Sequence, residues 1–90
     1  MKTQQFIVYG RVQCVGFRYF TYREAQRLGI FGWVKNQNDG SVAVLAQGTE
    51  QQLAAFQQWL QKGPKTANVT HLECFPITEQ ESLEEFRILH

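Results

Sequence analysis

The first apolar stretch, Phe6-Ile7-Val8-Tyr9-Gly10-Arg11-Val12, puts Phe6, Val8 and Val12 on one face of a strand and Ile7 and Tyr9 on the other. Apolar residues on both faces predict a central strand. After a short loop, Gln13 to Arg18, Thr21, Ala25 and Leu28 recur at helical spacing, which predicts a helix over 19–28 ended by Gly29. Residues 30–35 predict a second strand. Asn36-Gln37-Asn38-Asp39-Gly40 predicts a turn with a strong Asp-Gly hairpin signal, and residues 41–47 the returning strand. Thr49-x-x-Gln52 is a capping box opening a second helix, with Leu53, Phe56 and Leu60 on its buried face and Trp59 beside them. Gly63-Pro64 stops it. Residues 69–75 predict a fourth strand, and Phe86-Arg87-Ile88-Leu89 a short last strand at a sheet edge.

The order is βαββαβ with a short closing strand. Two helices separated by a hairpin imply a mostly antiparallel sheet with both helices on one face, the ferredoxin-like α+β sandwich. Ninety residues without repeats or linkers predict a single domain spanning 1–90. That architecture hosts unrelated activities, so function must come from particular residues.

Composition narrows the classes. Residues of hydrophobic type make up 43% and charged ones 19%, ordinary for a globular chain, and no apolar run approaches the roughly 20 residues of a membrane span. The first five residues lack the apolar core of a signal peptide, so a cytoplasmic protein is the expectation, and the size suits a monomer. Cys14 and Cys74 are expected to be free thiols, because nothing points to an oxidising compartment. Net charge is +1, too little for a general nucleic-acid binder. Cations predominate before residue 40, whereas Glu79, Glu81, Glu84 and Glu85 crowd one short stretch; a basic first half suits a small anion, unless folding erases the asymmetry.

Two places carry candidate chemistry. The loop Gln13-Cys14-Val15-Gly16-Phe17-Arg18 joins a strand to a helix start, where backbone N–H groups lack intrahelical partners and the dipole favours an anion. Gly16 permits a turn that lets several N–H groups converge. Arg18, in the first helical turn, opposes the dipole unless an anion comes between. It is either an anion fork or a solvated arginine. Asn36, just before the hairpin, is by itself either a turn-former or a polar positioning group, and Asp39 is a turn residue.

Taken together, Val12-Gln13-Cys14-Val15-Gly16-Phe17-Arg18 resembles the V-Q-G-V-G-F-R loop of acylphosphatases, and Gly32-Trp33-Val34-Lys35-Asn36-Gln37-Asn38-Asp39-Gly40-Ser41-Val42 resembles their G-W-V-x-N-x-x-D-G-x-V motif. The likeness runs through Leu28-Gly29, Gln47-Gly48, Gly63-Pro64 and Phe86-Arg87-Ile88, nearly the whole chain. The resemblance implies hydrolysis of an acyl phosphate to a carboxylate and inorganic phosphate. Arg18 and the loop amides would bind the phosphoryl oxygens and Asn36 would orient the water. Cys14 stands where the family usually has glycine, which costs on the order of 1 kcal/mol if that position needs a positive φ. Because a carboxylate leaves without protonation, no general acid, metal or other cofactor is expected, and no nucleic-acid or membrane partner. A non-catalytic anion-binding regulatory module using the same loop is the alternative. An RNA-binding domain of this fold would need aromatic and basic residues on its reading strands, and 41–47 has neither.

Overall fold

The computed structural model describes residues 1–78 and 81–90; Glu79 of the acidic stretch lies outside the described residues. Its elements are β1 (Lys2–Arg11), α1 (Phe17–Leu28), β2 (Phe31–Asn36), β3 (Val42–Gly48), α2 (Glu50–Lys62), β4 (Asn68–Ile77) and β5 (Phe86–Leu89). The predicted order is observed, with shifted ends. β1 starts four residues earlier than its apolar run because Thr3, Gln4 and Gln5 pair with β3 and β4 on either side. Ladder hydrogen bonds do not require apolar side chains, so periodicity does not mark them. Likewise α1 begins at Phe17, two residues before the predicted start, because that ring is itself a buried anchor.

One five-stranded sheet runs β4-β1-β3-β2-β5. β1 and β2 both pair antiparallel with β3, so they point the same way, and β5 runs parallel to β2. The carboxyl ends of β1, β2 and β5 therefore meet at one end of the sheet. β3, flanked on both sides, is buried along its whole length. The amide of buried Gln47 donates to Thr3 Oγ1 (3.0 Å) and the Glu81 carbonyl (3.1 Å), and its Oε1 accepts the Leu83 N–H, so no polar group there is orphaned.

The helices close the core over the sheet. α1 buries Phe17, Thr21 and Ala25, and Leu28 is half-buried rather than central; α2 buries Leu53, Phe56 and Leu60 as its pattern predicts. Phe56 packs edge-on against both Phe6 and Phe86, centroids 6.2 Å apart in each pair. That three-ring cluster ties α2 to the centre and to the edge of the sheet. Gly32 brings β2 close to β3: a Cβ there would lie 1.8 Å from the Leu45 carbonyl oxygen.

Candidate active site

The three carboxyl ends carry the candidate residues. β1 runs into the 12–16 loop, β2 ends on Asn36, and β5 delivers Leu89 and His90. A hollow of about 250 Å³ opens there, lined by Cys14, Gly16, Arg18, Tyr19, Asn36 and Ile88 among others. Arg18 and Asn36, 18 residues apart in sequence, thus meet at one concavity, a convergence that spacing alone does not reveal.

Its floor is the start of α1. Gly16 takes the N-cap position in the left-handed conformation (φ 77°, ψ 12°), no side chain caps the helix, and its first turn holds no acidic residue. The Phe20 N–H, bonded to the Gly16 carbonyl at 3.1 Å, is the first to enter the helical ladder, so those of Phe17, Arg18 and Tyr19 precede it. α2 differs. Thr49 and Gln52 form a complete capping box, with Glu50 in the first turn. The start of α1 thus has no side-chain cap and no acidic residue on its donors and positive dipole end, an arrangement suited to an anion.

Arg18 is half-buried beside this helix end. Its Nη1 donates to the Leu89 carbonyl (2.8 Å) and lies 3.4 Å from His90 Nδ1. The end of β5 thereby holds the guanidinium against the pull of its long flexible stem, and most of its five donors stay available. Asn36, the last residue of β2, lines the hollow from the sheet. Its Oδ1 is buried without any hydrogen-bond partner. A buried amide oxygen left unbonded costs about 1–3 kcal/mol, which a water in the hollow would recover.

Gln13 locks the two motifs together. Its Nε2 donates to the Gln37 carbonyl at 2.7 Å and the Ser41 carbonyl at 2.9 Å, gripping the hairpin next to Asn36. Within the hairpin, Asp39 Oδ1 accepts the Ser41 N–H (2.9 Å) and hydroxyl (2.5 Å), and Gln37 Nε2 donates to Ser41 Oγ at 2.9 Å. Those bonds, the hydroxyl first, hold the Asp39 carboxyl below its ordinary pKa. Because folding lowers it, its contribution is present above the unfolded carboxylate value of about 3.9 and is lost as pH falls through the lowered folded value.

The family model for acylphosphatase matches residues 4–88. An acylphosphatase of Actinobacillus succinogenes is 62% identical over 72 residues, 80% of either chain, and one of Mannheimia succiniciproducens is 46% identical over the full length of both. The crystal structure of acylphosphatase from Bacillus subtilis, 39% identical, superposes with a TM-score of 0.96 over the whole of both chains. The chain belongs to the acylphosphatase family.

Within that family pattern the predicted loop residues divide by task. Cys14, Gly16, Phe17 and Arg18 line the hollow, whereas Gln13 is turned to the hairpin and Val15 packs against the core. The Val15 carbonyl accepts the Thr66 hydroxyl at 2.8 Å, fastening the loop to the segment after α2. Tyr19, Ile88 and the Leu89–Arg18 contact fall outside both motifs. The sequence signal for Tyr19 was an aromatic residue adjoining Arg18 in the first turn; a backbone carbonyl such as that of Leu89 leaves no signal. Glu24, the carboxylate nearest Arg18 along α1, is held by Arg27 through bonds of 3.0 and 2.5 Å and does not line the hollow.

Cys14, the departure from the acylphosphatase loop, has φ 62° and is the one non-glycine residue with a positive φ among those described. Its thiol and that of Cys74 are both exposed and unpaired, with Cys74 opposite Phe6 on the edge strand β4. Replacing Cys14 with glycine removes left-handed strain of about 1–2 kcal/mol, offset in part by glycine's larger unfolded-state entropy. Cys14→Gly should raise the free energy of unfolding by about 0.5–1 kcal/mol, read from the urea midpoint at unchanged slope.

Gln13→Ala, by freeing the hairpin, should cost about 1–3 kcal/mol of stability. It should also lower kcat roughly tenfold, since small misplacements of a positioning group are expensive. Gln13→Glu should do no better, because a carboxylate cannot donate to the two carbonyls. Urea denaturation and steady-state kinetics on the same preparations check both.

Proposed function

We propose that this acylphosphatase-family enzyme splits the carboxyl–phosphate bond of acyl phosphates with Arg18 and the amides at the start of α1 holding the phosphoryl oxygens and Asn36 holding the attacking water. The reading rests on one observation above the others: Asn36, whose Oδ1 is buried and unpartnered, lines the same small hollow as Arg18 and Gly16.

The chemistry closes with these parts. Water donates a hydrogen bond to Asn36 Oδ1, which turns an oxygen lone pair toward phosphorus. As the new P–O bond forms, the bond to the acyl oxygen breaks and its electron pair leaves on a carboxylate. With a conjugate-acid pKa near 4, that group needs no general acid. The water's proton passes to a phosphoryl oxygen. Phosphoryl transfer calls chiefly for positioning and for stabilising charge on the equatorial oxygens, which the Arg18 fork and the converging N–H dipoles supply. The products are the carboxylate and inorganic phosphate.

Residues 1–90 are read as one acylphosphatase-like domain acting as a cytoplasmic monomer. One buried cluster drawing on both helices and all but the outer edge strand β4 supports the first part, and two free exposed thiols accord with a reducing compartment. No helix among the described residues is long and apolar enough to cross a membrane.

Titration of ¹⁵N-labelled protein with inorganic phosphate tests the assignment. The largest amide shifts are expected at residues 15–19, with the Asn36 side-chain amide and the Arg18 Nε–H moving alongside. Shifts centred elsewhere, or none at millimolar phosphate, would remove the phosphoryl site from this hollow.

A further inference from the structure

The hollow is small. At about 250 Å³ it falls below the roughly 300–1,000 Å³ typical of pockets that enclose a whole organic ligand. A phosphoryl group and a water fill it, and the acyl half of the substrate, two bonds from phosphorus, has to leave through the mouth. In-line attack sets the direction: with the water on the Asn36 side, the acyl oxygen departs away from β2.

On the helix side of that mouth the ordinary rule of burial is reversed. In α1, Thr21 is fully buried, whereas Tyr19 is 54% and Phe20 37% exposed. The other exposed large apolar residues among those described, Met1 and Phe75, lie just before β1 and on β4. Tyr19 lines the hollow itself, and its ring meets Phe20 edge-on, centroids 5.7 Å apart at 64°. The Arg23 guanidinium sits 6.0 Å from the Tyr19 centroid, steadying the ring from the next turn. On the Phe20 side a second depression of about 390 Å³ is lined by Phe20 and Trp59 with the charged Arg23, Glu24 and Arg27. Exposed aromatic surface contiguous with a binding hollow marks a recognition surface.

Building on the phosphoryl reading above, we infer that Tyr19 and Phe20 form the acyl subsite, a rigid aromatic shelf that selects acyl phosphates with an aromatic or bulky apolar acyl group over those with a short one. The acyl group lies against the Tyr19 face while its phosphoryl end is held by Arg18. Phe20 backs the ring and extends the apolar surface toward Trp59. Tyr19 makes no bond to a reacting atom; it determines specificity.

The test is the ratio of kcat/KM for benzoyl phosphate to that for acetyl phosphate, measured for the wild type, Tyr19→Ala and Tyr19→Phe. Comparing ratios between variants cancels the intrinsic reactivity of the two substrates and any general effect of the substitution. The ratio should fall about tenfold in Tyr19→Ala and stay within about twofold of the wild type in Tyr19→Phe, because ring contact and not the hydroxyl carries the preference. A ratio unchanged in Tyr19→Ala, whatever the absolute rates, overturns the shelf while leaving the phosphoryl site intact. Wild-type protein that turns over neither substrate overturns the phosphoryl reading first, and the shelf with it.

Discussion

Arg18→Ala should lower kcat/KM for an acyl phosphate by about 10²–10⁴-fold. In the proposed mechanism the guanidinium would offer the phosphoryl group charge-assisted hydrogen bonds, each worth about 1.5–3 kcal/mol, that strengthen as charge gathers on the equatorial oxygens. Inhibition by inorganic phosphate should weaken in the same variant, since the product presents the same oxygens. Arg18→Lys should recover only part of the loss. A lysine ammonium is a point charge without the planar fork, and it cannot both reach the Leu89 carbonyl and bracket a phosphoryl group as Arg18 can. Steady-state kinetics with benzoyl phosphate, and phosphate inhibition on the same samples, read both effects. A loss of stability large enough to mimic them is not expected, because Arg18 lies at the rim and outside the buried cluster.

Asn36→Ala should act on kcat almost alone, lowering it about 10²–10³-fold while phosphate inhibition stays within about twofold. This separates the two residues. On the proposed mechanism Arg18 meets the phosphoryl group in ground and transition states alike, whereas Asn36 orients a water whose position matters only as the new bond forms. The buried oxygen has no protein partner to lose, so the alanine variant should be at least as stable as the wild type. Asn36→Asp is the sharper comparison. It keeps an acceptor in place but adds a negative charge facing the phosphoryl site, so phosphate inhibition should weaken there and not in the alanine variant.

The alternation of Phe6, Val8 and Val12, the Asp39-Gly40 turn and the Thr49–Gln52 capping box made the order of elements readable, because each is a local device whose residues state its geometry. The polar start of β1 was not readable: Thr3 to Gln5 are strand by virtue of partners on β3 and β4, far off in sequence. The same division runs through the site. A loop glycine before a first-turn arginine spoke of anion binding at short range, but only the shared direction of β1, β2 and β5 brings Asn36 to it. Gln13 looked like one more loop residue, and its grip on the Gln37 and Ser41 carbonyls depends on a hairpin more than 20 positions away. The strain at Cys14 was foreseeable as a condition on φ, and its φ of 62° meets that condition. The Leu89 carbonyl that tethers Arg18 had no signature at all, since every residue carries the same group.

Hydrolysis of benzoyl phosphate in H₂¹⁸O puts the attacking water itself to the test. If Asn36 directs that water at phosphorus, the isotope enters inorganic phosphate and the benzoate released carries none. Label in the benzoate would mean attack at the carbonyl carbon, and an arrangement built around Arg18 and Asn36 to grip and split a phosphoryl group would be contradicted.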